Sequence, residues 1–168
     1  GYAQPYADIS EITRLALSSP HAGSNYGELT RGMHKMGTFT DAAKTKGFVC
    51  GGHPGGGSPE VSLGEVATFS FTTPVSATEV GELNAIAAGF SMQCQTPSLG
   101  YLGGGVYSPG DVHIDNIQSF ATVAPHAGVD ISEMAAAIQS SSCSESPTHG
   151  YSGGSGHSPA TDNIYRYQ

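Results

Sequence analysis

The sequence predicts an α+β fold made of repeated, loop-rich units of roughly 50 residues. Each unit would contain a short helix, a cysteine, a Gly/Pro/Tyr loop and a short strand. The dipeptide Ser-Pro begins at Ser58, Ser108 and Ser158, so its two spacings are both 50 residues. Helix-like apolar spacing precedes the second and third cysteines, and strand-like alternation follows the first Ser-Pro. A fixed period of this length is typical of architectures in which similar units stack on one another.

Short helices are predicted at residues 8–15, 79–86 and 130–138. In the last of these, Asp130 can cap the helix and Glu133 can reach back to the cap amide, as in a capping box. Ile131, Met134 and Ile138 then share one face. Because each segment has only about ten residues, no such helix is stable alone. We therefore expect each helix to pack against another part of the molecule.

The strand of each unit is predicted after the Ser-Pro dipeptide. Apolar and polar residues alternate through residues 65–71, which is typical of a half-buried strand. Residues 115–120 and 162–167 repeat the pattern of an acidic residue followed by an apolar stretch. Three copies of one strand are therefore expected along the chain.

The repeat predicts the following organisation. An N-terminal helical half-unit with a linker spans residues 1–37, a shortened first repeat spans 38–72, a second repeat spans 73–121 and a third spans 122–168. Leu, Ile, Val and Phe account for only 30 of the 168 residues, which is few for a well-packed globule. We expect the units to form one domain in which each is buried by its neighbours or by other chains.

The charge of the chain is unevenly distributed. Residues 1–46 carry five of the six Lys and Arg residues and have a net charge of +1, whereas residues 47–168 have a net charge of −9. An acidic surface repels phosphate, which argues against nucleic acid as a partner. No apolar run reaches the roughly 18 residues that cross a bilayer, so no membrane span is predicted. The scarcity of charge and the abundance of Gly, Ser and Thr favour an exported protein, located outside the cell or at its surface.

The three cysteines, Cys50, Cys94 and Cys143, are predicted to occupy the same place in each unit. Each can be a small apolar residue that ends a helix, or can form a disulfide within or between chains. Each can also hold a covalently attached pigment through a thioether. An odd number of cysteines leaves at least one outside any intrachain pairing.

Histidine and tyrosine supply the remaining candidate site residues. His53, His149 and His157 lie near cysteines and are candidate metal ligands, although their spacing matches no structural zinc site. Tyr101, Tyr107 and Tyr151 are predicted to lie in the glycine loops, where their rings would form contact surfaces. They are interface candidates because tyrosine combines an apolar face with a hydroxyl group.

The sequence favours a non-enzymatic structural subunit of a filament, sheath or surface assembly, in which copies of the chain meet head to tail. The alternative is a ligand-holding protein whose repeated Cys and His sites bind a metal or a covalently attached pigment. A hydrolase is not indicated, because the nucleophile motif Gly-x-Ser-x-Gly is absent from the sequence.

Overall fold

The computed structural model describes residues 9–18, 23–54, 61–87, 90, 92–108, 110, 112–124, 126–138, 142–154 and 162–167. Within these residues every regular element is a β-strand and the fold is all-β, so the predicted α+β class is wrong. The same residues include no helix long and apolar enough to cross a bilayer.

Most strands belong to three antiparallel sheets, which we call sheets 1, 2 and 3. Sheet 1 contains β4 (Gly37–Thr40), β5 (Lys46–Cys50), β7 (Glu65–Ser70) and β8 (Thr78–Glu82). Sheet 2 contains β9 (Met92–Gln95), β10 (Leu99–Gly103), β13 (Asn116–Ala121) and β14 (Val129–Glu133). Sheet 3 contains β15 (Ser142–Ser146), β16 (His149–Gly153) and β17 (Ile164–Tyr167). In each sheet the strands are paired in chain order.

The remaining strands form three small pairs. The N-terminal pair consists of β1 (Glu11–Arg14) and β2 (Ser24–Glu28). β3 (Met33–His34) pairs with β6 (His53–Pro54), and β11 (Val106–Tyr107) pairs with β12 (Val112–His113). The last two pairs lie beside the connections between the second and third strands of sheets 1 and 2.

A β-bulge at one register position relates the N-terminal pair to the larger sheets. The bulge follows Ile12 in β1, Val66 in β7 and Ile117 in β13. Bulges disturb the ladder at a fixed place and therefore mark equivalent positions in related sheets. The N-terminal pair corresponds to the third and fourth strands of sheets 1 and 2, and sheet 3 corresponds to their first three strands.

Glycine follows the second strand of each sheet because the backbone turns there with a positive φ. The values are +62° at Gly51, +63° at Gly104 and +74° at Gly154, in the left-handed region that side chains with a Cβ rarely adopt. Each of these amides donates a hydrogen bond to a carbonyl at the start of the third strand, over 2.9 to 3.1 Å. Gly51, Gly104 and Gly154 thus form turns that connect the second strand of each sheet to its third.

The three predicted helices are wrong. Residues 79–86 and 130–138 overlap all but the first residue of β8 and β14, and β1 lies in residues 8–15, of which residue 8 is outside the described part. Asp130 caps no helix, because its carboxylate accepts a hydrogen bond from the side chain of Asn116 on the paired strand at 2.8 Å. A helix of this length is only marginally stable, and the neighbouring strands offer a complete antiparallel ladder instead.

The predicted strands are confirmed. Residues 65–71 and 162–167 contain β7 and β17, and residues 115–120 contain all but the last residue of β13. The three are equivalent third strands. The limits that we assigned to the repeats stay a prediction, although sheet 1 runs from Gly37 to Glu82 and so extends beyond the range 38–72. Of the three Ser-Pro dipeptides, only Ser108 lies within the described residues.

The core lies between the sheets. One buried cluster joins sheets 1 and 2 and includes Phe39, Phe48, Leu102 and Phe120. A second cluster, around Met92, joins sheets 2 and 3. Contacts between strands of different sheets are concentrated at the first strands β4, β9 and β15. This arrangement is similar to that of neighbouring blades in a β-propeller.

We predict that the variant Gly100→Ala is less stable than the native chain by about 1–3 kcal/mol. A Cβ at Gly100 would lie 2.6 Å from the Phe39 ring, which is buried against Phe48 and Phe120 and cannot move aside. The matched control is Gly153→Ala, where the nearest atom of Ile164 would be 3.7 Å away. Urea denaturation measures both, and equal stabilities of the two variants would contradict the packing described here.

Candidate functional site

The candidate functional site is the contact between one sheet and the next, which we call the sheet junction. The first strands of the sheets, β4, β9 and β15, meet at one end of the junction, which we call its inner end. There, side chains of each first strand accept hydrogen bonds from the backbone of the first strand of the preceding sheet. The amides of Thr38 and Thr40 donate to the side-chain oxygens of Gln93 and Gln95 at 2.9 and 2.8 Å. The amide of Gln95 donates in turn to the carboxylate of Glu145 at 2.5 Å.

These inner bonds repeat because Gln95 and Glu145 are equivalent residues. Gln95 lies opposite Gly100 in sheet 2, and Glu145 lies opposite Gly150 in sheet 3. Each residue therefore makes the same contact with the sheet before it. The acceptor is the side-chain amide of Gln95 in the first contact and the carboxylate of Glu145 in the second. Hydrogen bonds to an ionised acceptor are stronger than bonds to a neutral one.

Gln118 forms hydrogen bonds that join sheets 1 and 2 in the middle of their junction. Its side chain is 1% exposed and extends from β13 into the turn after β8. The side-chain oxygen accepts from the amides of Asn84 and Ala85 at 3.0 and 3.2 Å, and the side-chain nitrogen donates to the carbonyl of Ala85 at 2.8 Å. These bonds give the buried Gln118 side chain partners in a partly buried turn of the neighbouring sheet.

Hydrogen bonds also repeat at the opposite, outer end of the junction, where the last strands of neighbouring sheets meet. The amide of Ala77 donates to the carbonyl of Glu28 at 2.7 Å, and the amide of Gly128 donates to the carbonyl of Glu82 at 2.8 Å. A Cβ at Gly81 would clash with the backbone of the following sheet, which explains why glycine stands there. The same geometry thus joins the N-terminal pair to sheet 1 and sheet 1 to sheet 2.

An ion pair adds to the first of these junctions. Arg31, which follows β2, lies 3.1 Å from the carboxylate of Glu65 on β7. The Glu65 side chain is 6% exposed and that of Arg31 is 49% exposed. The ion pair therefore links one of the few cations of the chain to a buried acid in the next sheet.

The three cysteines occupy three different positions, so their predicted equivalence is wrong. Cys50 is on the second strand of sheet 1, whereas Cys94 and Cys143 are on the first strands of sheets 2 and 3. Cys94 lies opposite Tyr101 and Cys143 lies opposite Ser152, which are different register positions. All three are free thiols that lie on strands, and none ends a helix.

Burial suppresses ionisation of two of these thiols. It raises the pKa of Cys94 to about 11, with smaller contributions from Glu145 and Cys143. Burial also raises the pKa of Cys50 well above its ordinary value. Because the thiolate is the reactive form, neither residue is a good nucleophile near neutral pH.

The candidate metal ligands are not brought together. His53 is buried on β6 beside His34, with 5.6 Å between the ring centres. His149 begins β16 and shares a hydrogen bond with the hydroxyl of Thr148 at 2.8 Å, whereas His157 lies outside the described residues. In the part of the chain that is described, no group of three or more His, Cys, Asp or Glu side chains could hold a metal ion.

The three tyrosines are on strands, so their predicted placement in loops is wrong. Tyr101 is on β10, Tyr107 on β11 and Tyr151 on β16. Tyr101 packs against the apolar cluster between sheets 2 and 3. Tyr107 is 44% exposed. An interface role for the three residues stays a prediction.

Four residues that make the junction were not identified from the sequence: Gln93, Gln95, Gln118 and Glu145. One signal could have identified two of them, since Gln95 and Glu145 are 50 residues apart, which is the period of the repeat. Gln118 has no such signal, because its counterpart in sheet 1 is Ala67. Its role depends on a turn of another sheet, which no local pattern describes.

We predict that Gln118→Ala lowers the free energy of unfolding by about 1–3 kcal/mol, because the partly buried turn after β8 loses its side-chain partner and a fully buried side chain is removed. The control Gln93→Ala removes one bond at an exposed position and is expected to cost about 1 kcal/mol or less. Thermal and urea unfolding measure both variants. A loss for Gln118→Ala no larger than for Gln93→Ala would show that Gln118 does not fasten the junction.

We also predict that the thiols react with a disulfide reagent in a fixed order. At pH 8 exposed Cys143 reacts first, Cys94 reacts slowly because only about one molecule in a thousand carries its thiolate, and Cys50 reacts only after unfolding. Raising the pH toward 11 accelerates the second reaction. The variants Cys94→Ser and Cys143→Ser identify each phase, and a fast phase lost in Cys94→Ser would contradict the burial described here.

Comparison with known proteins adds no assignment to this geometry. No protein-family model matches the chain. No curated protein matches it either. The functional interpretation therefore depends on the sheet junction and on the surfaces that the terminal sheets leave exposed.

Proposed function

We propose that the protein is a non-enzymatic structural subunit that joins copies of itself head to tail, through the same sheet junction that it repeats within the chain. The exposed apolar surface of sheet 3 carries this proposal. The low charge and the Gly-, Ser- and Thr-rich composition support a place outside the cell, in a filament, sheath or other surface assembly.

The form of the internal junction supports head-to-tail contact. Each junction joins one face of a sheet to the opposite face of the next, so the two partners contribute different residues. Such a heterologous contact leaves both of its surfaces available again at the ends of the array. It can therefore continue from chain to chain, as a ring if the rotation closes and as a filament if it does not.

The exposed face of sheet 3, which we call the C-terminal face, carries an apolar residue whose counterparts in sheets 1 and 2 are buried. Val66 in sheet 1 and Ile117 in sheet 2 face the following sheet and are 0% and 5% exposed. Their counterpart in sheet 3 is Ile164, which lies opposite Gly153 at the same register position and is 79% exposed. Ile117 packs in a cluster with Met134 and Ile138, which follow the fourth strand of its own sheet, and with tyrosines of sheet 3. Because sheet 3 has no fourth strand among the described residues, strands of a second chain would supply these contacts and bury Ile164.

The exposed face of the N-terminal pair, β1 and β2, carries the complementary apolar surface, and we call it the N-terminal face. Phe120 in sheet 2 faces the preceding sheet and is 1% exposed. Leu15, which follows β1 at the corresponding position, is 55% exposed, and nearby Leu17 is 96% exposed. Burial of apolar side chains of this size stabilises a contact by about 1.5–3 kcal/mol each. The two ends thus offer the apolar halves of one junction.

Charge supports the same orientation. Residues 1–46 have a net charge of +1 and residues 47–168 have a net charge of −9. Contact between the N-terminal face and the C-terminal face reduces repulsion between acidic regions, whereas contact between two C-terminal faces increases it. Head-to-tail association is therefore favoured over a symmetric pairing of C-terminal ends.

We predict that Ile164→Glu abolishes self-association while the chain stays folded, because the side chain is exposed within one chain and buried only between chains. Light scattering after gel filtration measures the mass. The control Val123→Glu changes a residue that is 68% exposed in a loop of sheet 2 and away from both end faces. It should associate as the native chain does.

A native chain that remains monomeric at high concentration would contradict the proposed function. So would an assembly that Ile164→Glu leaves intact. Unfolding midpoints of the two variants, measured in the same samples, separate a loss of association from a loss of folding.

A further inference from the structure

A cavity of about 310 Å³ lies between sheets 2 and 3, at the junction where Gly150 faces Cys94. Its apolar wall includes Tyr101, Ile117 and Tyr167. Cavities of this size are large enough for small organic ligands. The preceding junction of the same chain indicates which kind of ligand fits.

The corresponding place between sheets 1 and 2 is filled by aromatic rings. Phe39 stacks against Phe120 with 4.5 Å between ring centres, and Phe48 lies 5.6 Å from the ring of His126. A Cβ at Gly100 would lie 2.6 Å from the Phe39 ring, so glycine at that position makes room for the ring. This junction therefore holds four rings close together.

The junction between sheets 2 and 3 has the same strand positions as this cluster, but fewer of them carry aromatic rings. Cys94 lies opposite Tyr101 as Phe39 lies opposite Phe48, so a thiol stands where the first junction has a phenyl ring. Gly150 lies beside Cys94 as Gly100 lies beside Phe39, and a Cβ at Gly150 would be 2.6 Å from the Cys94 sulfur. Among the described residues, none fills the place that His126 has in the first junction. The cavity thus lies beside a junction in which a thiol replaces one of the rings of the first junction.

The rim of the cavity is acidic. Glu133 and Glu145 both line it, and no Lys or Arg among the described residues does. His149 also lines the cavity. The sequence has no Lys or Arg between Gly47 and Tyr165, and Arg166 lies on the face of β17 opposite to that of Tyr167, which lines the cavity. Tyrosine rings also attract cations through their faces. A ligand with a positive charge outside an aromatic ring complements both the wall and the rim.

We propose that this cavity is a binding site for a small aromatic cation, of the arylalkylamine class. The aromatic ring lies in the cavity against Cys94, Tyr101 and Tyr167. The ammonium group lies at the rim and pairs with Glu133 or Glu145. A ring needs only about half of the volume, since apolar cavities of about 150 Å³ bind benzene.

The test uses 2-phenylethylamine and phenylacetate, which share a ring and have opposite charges. Isothermal titration and NMR chemical-shift mapping on the full chain should give saturable binding of the amine with a Kd of about 1 mM or tighter, with shifts at Cys94 and Tyr167. Phenylacetate should bind at least about tenfold more weakly. No saturation by the amine at about 10 mM overturns the proposal, and equal affinity for the two probes overturns the assignment to a cation.

Variants separate the two parts of the site. Cys94→Phe places a native-like ring over Gly150, and is expected to raise the unfolding midpoint while abolishing amine binding. Glu133→Gln should weaken amine binding several-fold and leave folding unchanged. The control Glu79→Gln, at an exposed position of β8, should bind as the native chain does. Unchanged binding in both Cys94→Phe and Glu133→Gln would overturn the site. Because these readouts use the single chain, they do not depend on self-association.

Discussion

Packing of each sheet against the next is the interaction on which the rest of the structure depends. A sheet of three or four short strands has two faces to bury, and the chain contains few large apolar residues with which to do so. Phe48 of sheet 1 and Leu102 and Phe120 of sheet 2 are each 1% exposed or less because they share one cluster. The second cluster is built mainly by sheet 2 and is covered by Tyr165 and Tyr167 of sheet 3. Both clusters thus lie where one sheet meets the next.

Close approach of the sheets explains the unusual composition of the chain. Gly81 and Gly100 face the backbone or a ring of a neighbouring sheet at distances that exclude a Cβ, and Gly51 requires a positive φ. Glutamine is used at the junction because its amide can both donate to and accept from backbone groups, as Gln118 does. The glycine and the uncharged polar residues are therefore part of the junction, where a charged side chain would need a partner of its own.

The period of the repeat and its third strand could be predicted from the sequence, whereas its helices could not. The alternation of apolar and polar residues at 65–71 correctly predicts a strand, because successive side chains of a strand point to opposite faces of the sheet. Spacing of Ile131, Met134 and Ile138 suggested a helix, yet Met134 and Ile138 are buried in the turn after β14 while Ile131 is 50% exposed. The partners of Gln118 lie more than 30 residues away in another sheet, so no local pattern could reveal them.

Cross-linking between two copies tests the central claim, that the internal junction continues from chain to chain, most directly. The measurement mixes a chain carrying Leu15→Cys with a chain carrying Ile164→Cys, both with serine in place of Cys94 and Cys143. A bismaleimide with a reach of about 10 Å, the spacing of packed sheets, joins the thiols, and mass spectrometry identifies the linked positions. Head-to-tail contact predicts a bond between positions 15 and 164 of different chains and little bonding between like positions. Bonds formed mainly between like positions, or none at all in an associated sample, would contradict it.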